Sequence, residues 1–179
     1  MRIALVLVGR TIPGFNNLVD SISHDLKSQV TTEMIDFPLT RSFRSKRQQY
    51  DAEALLKELG RLISPYVDSV VFVVREDMFS GKLNFVFGLA LERACIVSTA
   101  RLDPRFYGEV KDKLHANILF KERIVKEVLH ELGHTRGLPH CEDRTCLMVF
   151  SNSIADVDFK KREFCERCRM FLYLKSQEG

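Results

Sequence analysis

Near its start the chain carries an unbroken apolar run, Ile3-Ala4-Leu5-Val6-Leu7-Val8, which stops at Gly9 and Arg10. A run without polar alternation suits a strand buried on both faces. After Pro13 and Gly14, the apolar residues Phe15, Leu18, Val19, Ile22 and Leu26 return at helical spacing and predict an amphipathic helix. Met34, Ile35 and Phe37 predict a second strand. Asp51 stands where a carboxylate can cap a helix whose apolar face is Ala52, Leu55, Leu56, Leu59, Leu62 and Ile63. The run from Val70 to Val74 repeats the buried-strand pattern. Asn84 to Leu89 and Ala94 to Thr99 are rich in β-formers and joined by so few residues that they are expected to pair antiparallel. From Asn117 to Thr135 the period is helical again, with Ile124, Val125, Val128, Leu129 and Leu132 on one side. Alternating strands and helices predict an α/β fold on a mixed sheet with an antiparallel edge strand.

Beyond Gly137 the pattern changes. Residues 138–179 hold four of the five cysteines and few strand signals, and a unit of about 40 residues needs a metal or disulfides to stand. The expected organisation is one domain, with an upper part over 1–137 and a small lower part over 138–179 tied down by something other than its core.

Composition narrows the class. A chain of 179 residues with 45% apolar and 28% charged side chains can bury one sizeable core, which excludes collagen-like and disordered readings. A formal charge of +3 gives no bulk attraction to nucleic acid or membrane, and neither is expected as a partner. The first apolar run is too short for a signal peptide and no run approaches a membrane span. The expected setting is the cytoplasm, and the expected state a monomer.

The segment from His130 to His140, His-Glu-Leu-Gly-His-Thr-Arg-Gly-Leu-Pro-His, carries the chemistry. On a helix His130 and His134 lie one turn apart on one side, so both imidazoles can reach one zinc ion. At about 100° per residue, the two histidines fall nearly opposite the apolar stripe and are expected to face a cleft or solvent. Gly137 can take positive φ, end the helix and turn the chain back, delivering His140 as third ligand. Three neutral imidazoles leave one tetrahedral position for water, and Glu131, beside the first ligand, can act on that water as general base. His-Glu-x-x-His arises by chance in roughly 0.5% of chains this long, and the added Gly and His make coincidence a poor account.

Cys141 with Cys146, and Cys165 with Cys168, form two pairs whose thiolates suit a closed tetrahedral zinc site with four cysteine ligands, so two zinc ions per chain are expected. Because Cys141 adjoins His140, emptying the second site should loosen the first. Cys95 stands apart and is read as a small buried hydrophobe. The basic run Arg41, Arg44, Lys46 and Arg47 is read as a solvated loop without assigned function. His24 and His115 lack ligand-spaced partners and are read as surface residues.

His-Glu-x-x-His-x-x-Gly-x-x-His followed by a methionine resembles the metzincin clan of zinc peptidases. Cys141 directly after the third histidine, Cys146, Met148 and the later Cys-x-x-Cys narrow the resemblance to the archaemetzincins, and the stretch Asn84 to Gly88 also looks like that family. The resemblance implies a zincin-like fold with an active-site helix, His130, His134 and His140 as ligands of catalytic zinc, Glu131 as base, and Met148 in a turn beneath the metal. Arg136 and Pro139 depart from the expected pattern around the turn. The implied activity is hydrolysis of peptide or protein substrates, with an extended peptide lying along an edge strand near residues 84–89. A second reading is a zinc-bearing peptide-binding protein without turnover. A nucleic-acid module built on the four-cysteine zinc site is the weakest, because the charge is modest and the Cys-x-x-Cys segment looks helical.

Overall fold

The computed structural model describes residues 2–12, 14–108 and 112–177, and its centre is a five-stranded mixed sheet. The elements are β1 (Arg2–Val8), α1 (Phe15–Leu26), β2 (Gln29–Ile35), β3 (Phe43–Arg44), β4 (Gln49–Asp51), α2 (Ala52–Leu59), β5 (Ser69–Val74), β6 (Met78–Phe79), β7 (Gly88–Leu91), β8 (Ala94–Ser98), α3 (Lys113–Thr135), α4 (Ile154–Phe159) and α5 (Glu166–Gln177). The sheet order is β2-β1-β5-β8-β7, parallel throughout except for β7, which runs antiparallel to β8 and forms one edge. The expected mixed sheet with an antiparallel edge strand is therefore present.

Alternate residues of the central strands feed two cores. Leu5, Leu7, Val71, Val73, Cys95 and Val97 pack under α1 and α3, while Val6, Val8, Phe72, Val74 and Ile96 pack under α2. Cys95 lies fully buried in β8, as its apolar neighbours suggested. A third cluster of Leu138, Cys141, Cys146, Met148 and Cys168 gathers below the end of α3. Among the described residues, no helix is long and apolar enough to cross a membrane.

Several boundaries differ from the expected ones. Asp51 caps α2 by accepting from Ala54 N at 3.1 Å, but the α-helix ends at Leu59 and a 3-10 turn leaves Leu62 mostly exposed. The second strand starts at Gln29, and Phe37 lies beyond it. Helix α3 begins at Lys113, where the Asp112 carboxylate accepts from His115 N at 2.8 Å. Ahead of α1, Gly14 is described at the N-cap, whereas Pro13 lies outside the described residues. A small sheet of order β3-β4-β6 escaped the periodicity, since two or three residues carry no readable period.

Two corrections bear on function. The edge strand is Gly88–Leu91, and Asn84 to Phe87 ahead of it is not a strand; only Val86 bridges, to Met78. At the start of this stretch the carbonyls are held by side chains: Arg47 Nη2 donates to Leu83 O at 2.8 Å and Asn84 O at 3.1 Å, and Gln49 Nε2 donates to Asn84 O at 2.9 Å, whereas at its end Phe87 O accepts from Ser98 N of β8 at 2.8 Å. The basic run is therefore not simply solvated. Arg47 also lies over the Phe79 ring, and Arg44 pairs with Asp51 at 3.1 Å. His24 and His115 are exposed, as read from the sequence.

Candidate active site

Helix α3 spans 23 residues and is buried all round from Arg123 to Gly133. Its apolar side lies on the sheet, and its other side forms the floor of a cleft of about 550 Å3 lined by His130, Glu131, His134 and His140. The histidines do fall opposite the apolar stripe, but His130 is only 5% exposed, because the chain after the helix folds over it.

That fold-over begins at Gly137, whose φ of +83° is open to glycine at no steric cost. Gly137 N donates to His134 O at 2.9 Å and Leu138 N to Gly133 O at 3.0 Å, the paired bonds of a Schellman motif. The reversed chain returns a carbonyl to the helix: His134 Nδ1 donates to Leu138 O at 2.7 Å. Farther on, His130 Nδ1 donates to Leu147 O at 2.8 Å. A carbonyl can only accept, so both Nδ1 atoms carry the proton and both Nε2 atoms present a lone pair.

These two Nε2 atoms stand 3.1 Å apart. Two bare acceptors at that distance repel unless a cation lies between them, and two nitrogens bound at 2.0–2.1 Å to a tetrahedral ion stand about 3.3 Å apart. His140 completes the set, with its ring centroid 4.7 Å from that of His134 and 5.5 Å from that of His130, and the donor atoms of all three lie within 4.8 Å of one another. The residues present fit zinc. Burial holds all three imidazoles below their ordinary pKa, most strongly His130, where the nearby Lys160 and His134 add to the effect, so the lone-pair form is favoured.

Glu131 is 4% exposed and lies against β7. A Cβ at Gly88 would stand 2.6 Å from Glu131 Cγ, so the strand approaches the carboxylate only because residue 88 has no side chain. Burial pushes the Glu131 carboxyl well above its ordinary range, the charge of Glu127 one turn earlier adds to this, and Lys160 opposes it. Met148 is fully buried, with its Sδ against Gly133 between the two helical histidines. Cys141 N donates to Met148 O at 2.9 Å, which ties the residue after His140 to the methionine turn.

The cysteines gather beneath. Cys141 Sγ and Cys165 Sγ are 3.7 Å apart, and Cys146 Sγ and Cys168 Sγ are 3.8 Å apart. Both separations are far beyond a disulfide bond, and two sulfurs bound at 2.3 Å to a tetrahedral zinc stand about 3.8 Å apart. Backbone N–H groups point at the sulfurs, from Cys165 at 3.3 Å and Met148 at 3.4 Å to Cys146. A hydrogen bond from the Cys168 backbone lowers the Cys165 thiol to about 7, whereas burial raises Cys168. This donor set also fits zinc.

Sequence reasoning passed over Glu127 and Lys160, and gave Gly88 only as the end of a family-like stretch, without a role. Glu127 lies four residues before Glu131 on the same helix face and lines the cleft, so helical spacing could have found it. Nothing in the sequence marks Lys160, which enters from α4.

A profile described as Peptidase family M54 matches residues 10–173. The chain is 37% identical over 157 residues to the archaemetzincin of Saccharolobus solfataricus, covering 85% of this chain and 84% of that relative. It is 36% identical to the archaemetzincin of Methanopyrus kandleri, whose crystal structure superposes with a TM-score of 0.86 over 99% of this chain and 96% of that one. A zinc-dependent peptidase from Methanocorpusculum labreanum superposes with a TM-score of 0.81 at 30% identity, over 95% of this chain and 99% of that one.

Proposed function

Because the chain belongs to peptidase family M54, the archaemetzincins, it is a zinc metallopeptidase, and we propose that it hydrolyses peptide bonds with Glu131 as general base and His130, His134 and His140 as ligands of a catalytic zinc ion. One observation carries the reading: two Nε2 atoms, each freed by an Nδ1 hydrogen bond to a carbonyl, face each other at 3.1 Å beside a buried carboxylate. When bound, zinc polarises the scissile carbonyl and lowers the pKa of water toward about 7.

The chain's own residues do the rest. An extended peptide pairs with the free edge of β7 through main-chain hydrogen bonds, one or two residues from Gly88, and so passes directly over Glu131. This places the substrate slightly farther along the chain than residues 84–89. The Glu131 carboxylate takes a proton from the attacking water and later gives it to the leaving amine. Burial, which raises its proton affinity, suits a group that must hold that proton between the two halves of the reaction. No covalent bond to the protein forms. Met148 packs beneath the histidines as in a metzincin-type site and is not a ligand.

Cys141, Cys146, Cys165 and Cys168 hold a second, structural zinc, making two ions per chain, and residues 138–179 form a lower part that this ion ties together under an upper part over 1–137. The enzyme works in the cytoplasm as a monomer on peptide or protein substrates. The decisive variant is Glu131→Gln: zinc content stays at the parental level while hydrolysis falls by about 10^2- to 10^4-fold. Parental turnover in that variant refutes the base assignment.

A further inference from the structure

Three buried polar groups beside the cleft have no part in this mechanism. Glu127 lines the cleft one helical turn before Glu131 and is 3% exposed. Lys160, at the C-terminal cap of α4, is buried to the tip, and its Nζ stands 2.7 Å from Glu127 Oε1. The pair is close but off line, so neither atom gains a directed hydrogen bond. Ser151, just after Phe150 in the same cleft wall, has a buried Oγ with no hydrogen-bond partner. Buried hydroxyls are paired in nearly every folded protein, so the Ser151 hydroxyl has hydrogen-bonding capacity that a water or a ligand in the cleft can take up.

We propose that Glu127 and Ser151 form a subsite that takes an uncharged hydrogen-bonding side chain of the substrate, a carboxamide or a hydroxyl, with Lys160 as the positioning residue behind Glu127. This rests on the peptidase reading above. Lys160 engages Oε1 and leaves the carboxylate's remaining acceptor capacity for an N–H or O–H of the substrate. The Ser151 hydroxyl can donate to a carboxamide oxygen or accept from a hydroxyl. Charge excludes the alternatives. A substrate carboxylate would face both Glu127 and Glu131, and a substrate lysine or arginine would set a second cation beside Lys160, which already holds Glu127 at 2.7 Å. An apolar side chain of equal size would displace water and leave the polar atoms unpaired, which is the costlier error in a site built to hydrogen-bond.

The test uses one peptide scaffold in which Gln, its near-isostere Met, Lys and Glu are placed in turn at each position flanking the scissile bond. kcat/KM is measured with the zinc-loaded enzyme, and Kd for the same peptides with the zinc-loaded Glu131→Gln variant, which does not depend on turnover. At one position Gln should exceed Met and Lys by about tenfold in both measurements, the effect of roughly one hydrogen bond. Ser151→Ala should reduce that preference to within about twofold and melt no lower than the parent, because it removes an unpaired hydroxyl. The double variant Glu127→Met with Lys160→Met should lose the preference as well. Met equal to Gln at every position, Lys preferred over Gln, or a preference untouched by Ser151→Ala overturns the subsite. Absence of hydrolysis with every peptide refutes the peptidase reading, while the binding ratios still decide the subsite, and failure of all the peptides to bind overturns the subsite too.

Discussion

A methyl group at position 88 would stand 2.6 Å from Glu131 Cγ and 2.7 Å from its Cδ, so β7 and α3 meet at the one residue type that has none. Gly88→Ala should therefore displace the carboxylate: hydrolysis falls at least about tenfold with zinc content unchanged, and overpacking costs about 1–3 kcal/mol in urea unfolding. Parental activity would remove the close-approach argument. The histidines give a pH prediction. Burial places their pKa values below 6.5 in the folded chain, whereas the unfolded chain titrates near 6.5, so below that pH the unfolded state binds more protons. In Glu131→Gln, which removes the raised carboxyl whose protonation works in the opposite direction, stability of the metal-free protein should be fullest above pH 6.5 and decline as pH falls from there through the folded-state values; thermal melts of that variant that stay flat across pH 7 to 5 would contradict it. The identities of His130, Glu131, His134 and His140 could be read from spacing along one helix and the turn that follows it. Gly88 could not, since its constraint exists only where a distant strand crosses that helix.

Helix α4 is fastened to α3 by side chains from one face of the longer helix. Arg123 holds Asp158 bidentately at 2.7 and 2.6 Å, Lys126 Nζ donates to Val157 O at 3.1 Å and Asp158 O at 3.2 Å, and Glu127 meets Lys160. Lys160→Met strands a buried carboxylate and should cost about 3–5 kcal/mol in urea unfolding. Adding Glu127→Met should recover most of that loss, because two apolar side chains of similar size replace the pair without desolvating a charge. A double variant as unstable as the single one would contradict this. On the other wall, Arg47 and Gln49 hold the carbonyls of Leu83 and Asn84, and Arg101 lies over Phe85. Arg47→Ala should speed amide hydrogen exchange across residues 83–87 without altering that of β5. The β-rich composition of Asn84 to Phe87 suggested a strand because sequence shows side-chain type and not where carbonyls find donors. Here the donors to Leu83 O and Asn84 O are side chains in and beside a basic run far upstream, and the backbone ladder to β8 is taken up only from Phe87 O onward.

At the scale of the molecule, the sheet is packed between two large apolar cores, whereas the cluster around Cys141, Cys146, Met148 and Cys168 is small and has a cysteine at three of its five buried positions. Metal analysis should count two zinc ions in the parent and one in Cys165→Ser, and that variant should also bind its remaining ion more weakly, since Cys141 follows His140 and is tied to Met148 O. One ion in the parent, or unchanged affinity in the variant, would overturn the coupling. By itself the sequence determined the runs and periods that make the central strands and the long helix, the histidines and cysteines and their spacing, and the glycine that reverses the chain. All of these are local, because a helical turn or a strand repeat fixes relative direction over a few residues. Only the tertiary structure decided which carbonyls orient His130 and His134, which lysine lies behind Glu127, which strand edge faces Glu131 and how two cysteine pairs come within 3.8 Å. Each of those depends on elements brought together by burying apolar area, a force that has magnitude but no address written in the residues it joins.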